Sequence, residues 1–235
     1  MTKEMTRRTL LTSAGLSAAL GMAGAATALD NADTTNDKVL IVGVACSPRH
    51  GMTTATSMAA ALEAADGVDA RITTKLIDLG GMTIAGSDGH STPPDGVERA
   101  RDDFDEKVLP ILESPNLGGL MIGSPSYYRC MSSLCMAFLE RTAALRSPTL
   151  KLADLPVGAL CVGAYRNGGQ ELVIQQILTA MLCHKAKIVG GEPQAFQGAT
   201  LWNAYQNDIT KDEFGMTSAR LLGTRVANVA LARQA

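Results

Sequence analysis

Residues 38–57 read KVLIVGVACSPRHGMTTATS, and this stretch contains the strongest indication of the fold in the chain. Residues 39–44 are an apolar, β-branched run, which is typical of a strand buried on both faces. Residues 47–51 cannot continue that strand, because proline donates no backbone hydrogen bond and glycine favours turns. An alanine-rich amphipathic helix is predicted from residue 53 to about residue 65. The stretch therefore predicts a buried strand, a hydroxyl-rich loop and a helix.

This loop is a candidate anion site. The free N–H groups and the positive dipole end of the helix N-terminus favour a phosphate, and Ser47, Thr53 and Thr54 add hydroxyl donors. The alternative is an ordinary turn with a threonine helix cap. The G-x-x-x-x-G-K-[ST] and G-x-G-x-x-G patterns are absent, which argues against a nucleotide triphosphatase and a dinucleotide dehydrogenase. A hydroxyl-rich loop without lysine suits a terminal phosphate monoester, such as that of FMN.

Chain length and net charge limit the number of domains and the kinds of partner that the sequence can have. A chain of 235 residues suits one sizeable domain. Its net charge of -2 gives no reason to propose nucleic acid or an anionic membrane as a partner. The 5 cysteines are an odd number, so at least one of them is outside any intramolecular disulfide. No C-x-x-C spacing occurs, and no metal site is predicted.

The N-terminus carries a targeting pattern. Residues 6–11 read TRRTLL, a twin-arginine pattern, and a mildly apolar run follows it up to the small residues 26–28. We interpret residues 1–28 as a twin-arginine signal peptide, which implies export through the twin-arginine machinery to the periplasm or beyond. The alternative is a Sec signal that happens to carry two arginines. Residues 29–37 are predicted to be a linker, and residues 38–235 the folded domain.

The rest of the chain alternates strands with helices. Further strands are predicted at residues 71–79, 117–123, 156–163 and 187–189, and helices at 97–112, 131–145, up to about 184, and 212–233. A long loop is predicted at 80–96, and irregular structure from 190 to 207. Alternation of this kind predicts a doubly wound parallel α/β sheet. Three polar, glycine-containing loops then lie at the carboxyl ends of the first, third and fourth strands, where open α/β sheets bind ligands.

On these three loops the sequence resembles the NADPH-dependent FMN reductase family of the flavodoxin-like superfamily, from about residue 38 to 233. Residues 47–54 resemble the family's phosphate loop, residues 123–141 its second flavin loop and following helix, and residues 163–171 its third loop along the flavin ring. The resemblance implies a flavodoxin-like, doubly wound five-stranded parallel sheet in the order 2-1-3-4-5, with helices on both faces.

The resemblance also assigns residues to FMN, whereas no catalytic side chain is proposed. The cofactor-binding candidates are Ser47, Arg49, Met52, Thr53 and Thr54 at the phosphate loop, Pro125, Ser126, Tyr127, Tyr128 and Arg129 at the second loop, and Tyr165, Gly168, Gly169 and Gln170 at the third. The glycines permit close backbone approach to the ring, and an aromatic side chain can cover its face. For Tyr127 and Tyr128 the alternative is core or interface packing.

Three positions depart from the family pattern. Cys46 stands where glycine is common, while Arg129 and Cys130 stand where small residues are common. Arg129 either reaches the flavin or a substrate carboxylate, or is a solvated loop arginine. Cys130 and Cys135 resemble part of the cysteine cluster of iron–sulfur flavoproteins, but two cysteines cannot supply the usual four ligands. We interpret both as buried or half-exposed thiols, and a local disulfide between them in an oxidising compartment is the alternative.

The function implied by the resemblance is that of an FMN-dependent oxidoreductase, in which NADPH or NADH reduces FMN and a quinone or flavin accepts the electrons. Members of such families are often homodimers or homotetramers. Two alternatives are an electron-carrier flavoprotein with a redox-protein or quinol partner, and a degenerate module that keeps only the fold. Export would separate the protein from cytoplasmic nicotinamides, so we expect a quinol or a redox protein as the physiological donor.

Overall fold

The computed structural model of the chain describes residues 38–87, 101–193, 195–204 and 206–234. The predicted signal peptide and linker lie outside the described residues, as do parts of the predicted loop at 80–96 and of the helix at 97–112. The strands are β1 Val39–Ala45, β2 Ile72–Asp78, β3 Leu117–Tyr127, β4 Cys130–Met131, β5 Pro156–Gly163, β6 Lys187–Ile188 and β7 Ala199–Trp202. The α-helices are α1 Thr53–Asp66, α2 Leu109–Leu112, α3 Ser133–Arg141, α4 Gln170–Leu182 and α5 Glu213–Ala232. None of the helices in the described ranges combines the length and the hydrophobicity that a membrane span requires.

The predicted parallel sheet and its strand order are confirmed. The strands lie in the order β2-β1-β3-β5-β6, which is the predicted order 2-1-3-4-5. The unpredicted strand β7 also pairs with β5 in parallel. Strand β6 takes the first two residues of β5 and β7 takes the last four, so these short strands share one edge. Strand β7 is only four residues long, and its extended shape depends on this pairing.

Strand β3 is longer than predicted, because it continues through Pro125 to Tyr127. A proline in a strand lacks a donor for the ladder. Pairing of β3 with β1 ends at Gly123, so the missing N–H of Pro125 breaks no bond on that side. Tyr128 and Arg129 then form a tight turn with φ angles of 51° and 65°, and β4 pairs back on β3 as a hairpin. Two consecutive positive φ angles are typical of a hairpin turn.

Helices cover both faces of the sheet. Val42 and Val44 of β1 face a core that contains the buried side chains of α3 and α4. Ile41 and Ala45 face the opposite core, which α1 and α5 complete. The alternation of β1 side chains between two cores explains why its sequence is apolar at successive positions.

The described part of the predicted helix at 97–112 is not regular α-helix throughout. A π-helical turn at Phe104–Val108 precedes α2, and Pro110 lies in the first turn of that helix. The N–H of Leu109 donates to the carbonyl of Phe104, five residues earlier. Proline tolerates the first turn of a helix because its missing donor is not needed there.

Candidate functional site

The loop after β1 presents an uncapped helix N-terminus. Ser47, Thr53 and Thr54 are all buried there. Met52 is the N-cap of α1 and makes no capping hydrogen bond with its side chain, so the alternative of a threonine cap is wrong. The first N–H groups of a helix have no intrahelical acceptor. The hydroxyls of Thr53 and Thr54 also make no hydrogen bond within the described part of the chain. This end of α1 can therefore receive an anion.

The entry of this loop is fastened to β3 and α3. The N–H of Cys46 donates to the carbonyl of Gly123 at 2.7 Å, and the Ser132 hydroxyl donates to the carbonyl of Cys46 at 2.6 Å. The Cys46 side chain is buried, and its burial together with the neighbouring Cys135 thiol raises the pKa of Cys46 well above its ordinary value. The cysteine at position 46 thus belongs to the core and leaves the loop backbone unobstructed.

Arg49 and Met52 border the loop on its solvent side. The guanidinium of Arg49 is exposed, and its Nη1 donates to Oδ1 of Asn207 at 3.0 Å. The side-chain amide of Asn203 donates to the same oxygen at 3.1 Å. Arg49 therefore joins the first loop to the segment that follows β7. Met52 is half-buried at the beginning of α1.

The second loop is the hairpin of β3 and β4. Pro125 is buried, and the hydroxyl of Ser126 donates to the carbonyl of Gly168 in the third loop. Tyr127 is 40% exposed and Tyr128 is fully exposed. Nη1 of Arg129 donates to the carbonyl of Asn167 at 3.3 Å, so this exposed arginine contacts the third loop. Neither tyrosine is a core residue.

The third loop ends at the N-terminus of α4, where Gly169 has a φ of 89°. A Cβ atom at Gly169 would lie 2.7 Å from the Cβ of Arg129, so only glycine allows the second and third loops to approach this closely. Gln170 is buried, and its amide donates to the carbonyls of Tyr165 at 2.7 Å and Leu201 at 3.2 Å. Its side chain thus shapes the loop from within, while Tyr165 is exposed.

The structure therefore brings the three predicted loops together at the carboxyl edge of β1, β3 and β5. A cavity of about 360 Å³ lies between the second and third loops and includes Arg129, Asn167 and Gly169 in its lining. A larger groove of about 760 Å³ follows the outer face of α5. We place the site at the three loops, because an open α/β sheet binds ligands at the carboxyl ends of its strands.

Sequence reasoning missed three polar residues that hold these loops. Asp78 ends β2 and accepts a hydrogen bond from the N–H of Gly51 at 2.7 Å. Ser124 accepts from the N–H of Ser132 at 3.0 Å, and Ser132 caps α3 by accepting from the N–H of Cys135. Asp78 was detectable in principle, because it stands at the carboxyl end of a predicted strand. The serine pair had no such signal, because a bond from the N–H of Ser132 to the hydroxyl of Ser124, eight residues away, depends on the hairpin.

Comparison with known proteins establishes the family. The model of the NADPH-dependent FMN reductase family matches residues 39–199, and the chain belongs to this family. An iron–sulfur flavoprotein of Methanocaldococcus jannaschii is 32% identical over 191 residues, which cover 80% of this chain and 96% of that protein.

Two solved structures share the fold. The structure of RosB with a bound 8-demethyl-8-formylriboflavin-5'-phosphate has a TM-score of 0.63 at 15% identity, covering 84% of this chain and 80% of RosB. A flavodoxin, WrbA-like protein from Agrobacterium tumefaciens has a TM-score of 0.57 at 17% identity, covering 84% of this chain and 98% of that one.

The cysteines of this chain do not fit an iron–sulfur cluster. Such clusters are usually held by four cysteine thiolates. Cys130 and Cys183 are exposed, whereas Cys46, Cys135 and Cys161 are buried, and all five are free thiols. Burial raises the pKa of Cys46 and of Cys161, which opposes the thiolate form that ligation needs. The described residues contain no group of three or more potential ligands, and no bond joins Cys130 to Cys135.

Proposed function

We propose that the protein is an FMN-dependent oxidoreductase that passes electrons from a donor through bound FMN to a small acceptor such as a quinone or a flavin. The observation that carries this proposal is the uncapped N-terminus of α1, with Ser47, Thr53 and Thr54 buried around it. Backbone N–H groups, hydroxyl donors and a positive helix end together suit a phosphate monoester. Membership of the FMN reductase family supports FMN as the molecule that brings this phosphate.

The ring of FMN would lie between the second and third loops. Tyr127 offers an aromatic face at one side, and the backbone of Gly168 and Gly169 offers close approach at the other. Hydride and electron chemistry belongs to the flavin, while the protein binds and orients it. No side chain of the chain is assigned as a general acid or base.

The proposed electron donor depends on the compartment in which the protein works. NADPH is the donor that the family name suggests. The twin-arginine pattern at residues 6–11 supports export of the folded protein, and nicotinamides are not expected outside the cytoplasm. We therefore propose a membrane quinol or a redox protein as the physiological electron donor. We also propose a homodimer or homotetramer, the assembly that the family resemblance implies.

The second candidate is an electron-carrier flavoprotein that exchanges electrons only with a protein partner. Three tyrosines support it, because Tyr127, Tyr128 and Tyr165 expose aromatic surface around the second and third loops. Exposed aromatic side chains are enriched at protein interfaces. Such a carrier would turn over slowly with small acceptors and quickly with its partner.

The test begins with the absorption spectrum of the purified protein, after which the cofactor is released and identified. We then mix the holoprotein under anaerobic conditions with NADH, NADPH or a soluble quinol, and follow bleaching of the flavin. Reoxidation by a soluble quinone completes the cycle. Rapid reduction and reoxidation are expected for the reductase. A protein that retains no FMN after reconstitution would contradict the proposed function, and slow exchange with every small molecule would favour the carrier.

Export is tested separately with a reporter fused to residues 1–28. The unaltered fusion is expected outside the cytoplasm, and the double variant Arg7→Lys, Arg8→Lys is expected to stay inside. If the unaltered fusion stays inside, the premise for a quinol donor fails, and an NAD(P)H-dependent cytoplasmic reductase becomes the better proposal.

A further inference from the structure

One carboxylate outside the three loops contacts the first of them twice. Asp78 is the last residue of β2, and its side chain is only 9% exposed. Its Oδ2 accepts from the N–H of Gly51 at 2.7 Å and lies 3.1 Å from Nδ1 of His50. Its Oδ1 accepts from the N–H of Gly80 at 3.0 Å. Asp78 thus joins the first loop to the turn after β2.

The backbone contact beside this carboxylate is unusually close. A Cβ atom at Gly80 would lie 2.4 Å from both the Cα and the N of His50. The turn after β2 therefore packs directly on the backbone of the first loop. Two independent features keep the loop in one place. The oxygens of Asp78 accept hydrogen bonds from it and from the next turn, and the lack of a side chain at Gly80 lets the two backbones pack together.

This contact orients Gly51, which has a φ of 67°. Its N–H points to Asp78, so it is withdrawn from the set of donors at the N-terminus of α1. A loop ordered on folding does not have to be ordered when a ligand binds, which improves affinity. A negative carboxylate near an anion site also repels the anion. These two effects have opposite signs, and an experiment can therefore separate them.

We propose that Asp78 is a positioning residue for the first loop, and that it holds this loop ready for the phosphate of FMN. The inference rests on the proposed function, because it concerns the same FMN phosphate. Ordering outweighs repulsion, because the carboxylate accepts from the loop at Gly51 and from the turn after β2 at Gly80. Its replacement would leave the partly buried N–H of Gly80 without its acceptor and would release the loop from this turn.

The test compares FMN with riboflavin, which has the same ring and ribityl chain but no phosphate. Both are titrated into the flavin-free full-length protein, and flavin fluorescence reports binding. Asp78→Asn is expected to weaken FMN binding about tenfold, the loss typical of a hydrogen bond to a charged group. Riboflavin binding is expected to change less than twofold. Asp66→Asn removes the same charge from the exposed far end of α1, and it should change neither ligand.

Two further measurements keep the inference falsifiable. Hydrogen exchange of the Gly51 amide should accelerate in Asp78→Asn and not in Asp66→Asn, and this readout needs no flavin. If Asp78→Asn fails to fold, Asp78→Glu, which keeps the charge but displaces it, should weaken FMN binding more than riboflavin binding. Equal or tighter FMN binding by an altered protein that folds would overturn the inference. Failure of the unaltered protein to bind FMN would instead refute the proposed function.

Discussion

The first loop and the tip of the second loop differ in how much of their structure depends on the protein alone. In the first loop, Ser47, Thr53 and Thr54 are buried, and the backbone is fastened at Cys46. In the second loop, Tyr128 is fully exposed and Tyr127 is 40% exposed. The proposed phosphate subsite is therefore preformed by packing, whereas the proposed ring subsite is open. Preformed donors contribute more affinity than side chains that must first be ordered.

The largest effect is expected at the residue that joins the two loops. Ser132→Ala removes the hydroxyl that donates to the carbonyl of Cys46 and accepts from the N–H of Cys135. Loss of a helix cap and of a buried hydrogen bond should lower the free energy of unfolding by about 2–3 kcal/mol. Urea unfolding of the flavin-free protein measures this change.

The control for that variant is its neighbour Ser133→Ala. Ser133 is exposed, so its replacement should change the free energy of unfolding by less than about 0.5 kcal/mol. Equal effects of the two variants would show that the first loop is not held from α3.

The next effect tests whether the first loop is a preformed phosphate subsite. Thr54→Val should weaken FMN binding by roughly 1–3 kcal/mol, because a charged acceptor then lacks one donor. The hydroxyl of Thr54 makes no hydrogen bond within the described residues, so thermal stability should not fall. Fluorescence titration and thermal unfolding measure the two quantities.

Thr56→Val is the matched control, because the hydroxyl of Thr56 already donates to the carbonyl of Met52. Its FMN affinity should stay close to that of the unaltered protein. Unchanged affinity in Thr54→Val would mean that this loop does not bind the phosphate.

A smaller effect is expected at the open second loop. Tyr127→Ala should weaken flavin binding by about 1 kcal/mol, the size of an aromatic contact, and relieve quenching of flavin fluorescence. Tyr128→Ala should do less, because Tyr128 projects fully into solvent. Phe214→Ala, an exposed aromatic on α5, is the control. If both tyrosine variants match this control, the second loop does not contact the ring.

The smallest effect on stability is expected at the end of the sheet opposite the two loops. His184 follows α4, and its Nε2 lies 3.0 Å from the hydroxyl of Thr142, which donates to Leu139 and therefore accepts from the histidine. Burial of the ring, together with the Arg146 charge, lowers the pKa of His184. Its buried Nδ1 has no partner among the described residues. The native state thus resists the proton more than the unfolded chain does.

The lowered pKa of His184 makes the folded state less stable at acidic pH. The stability contributed by neutral His184 is complete above the ordinary histidine pKa of about 6.5, and it is lost as the pH falls below that value. His184→Gln, which keeps a donor but does not titrate, should lose less thermal stability between pH 7.5 and 5.5 than the unaltered protein. FMN affinity should follow pH in the same way in both proteins. Identical thermal curves would exclude His184 as an acid-sensitive group.

Several features of the fold could be predicted from local sequence. The apolar runs of β1 and β5, and the loops that follow them, predict a parallel sheet and the carboxyl edge where the loops meet. The strand order was implied by the family resemblance, and the structure confirms it. The family resemblance added FMN as the ligand at that edge. Strand β7 and the extension of β3 through Pro125 could not be predicted, because both depend on a neighbouring strand that the local sequence does not reveal.

The candidate site, like the fold, could be predicted only in part from the sequence. The sequence by its own chemistry defines the types of group that reach the carboxyl edge, namely hydroxyls at 47, 53 and 54, tyrosines at 127 and 128, and glycines at 168 and 169, because residue type and the position of a loop after a predicted strand are local properties. How these groups are held depends on contacts that form only in the folded chain. Arg49 bonds to Asn207 and Gly51 bonds to Asp78, and these partners lie 158 and 27 residues away. A hydrogen bond forms only when folding brings donor and acceptor within about 3 Å, and no local pattern encodes that distance.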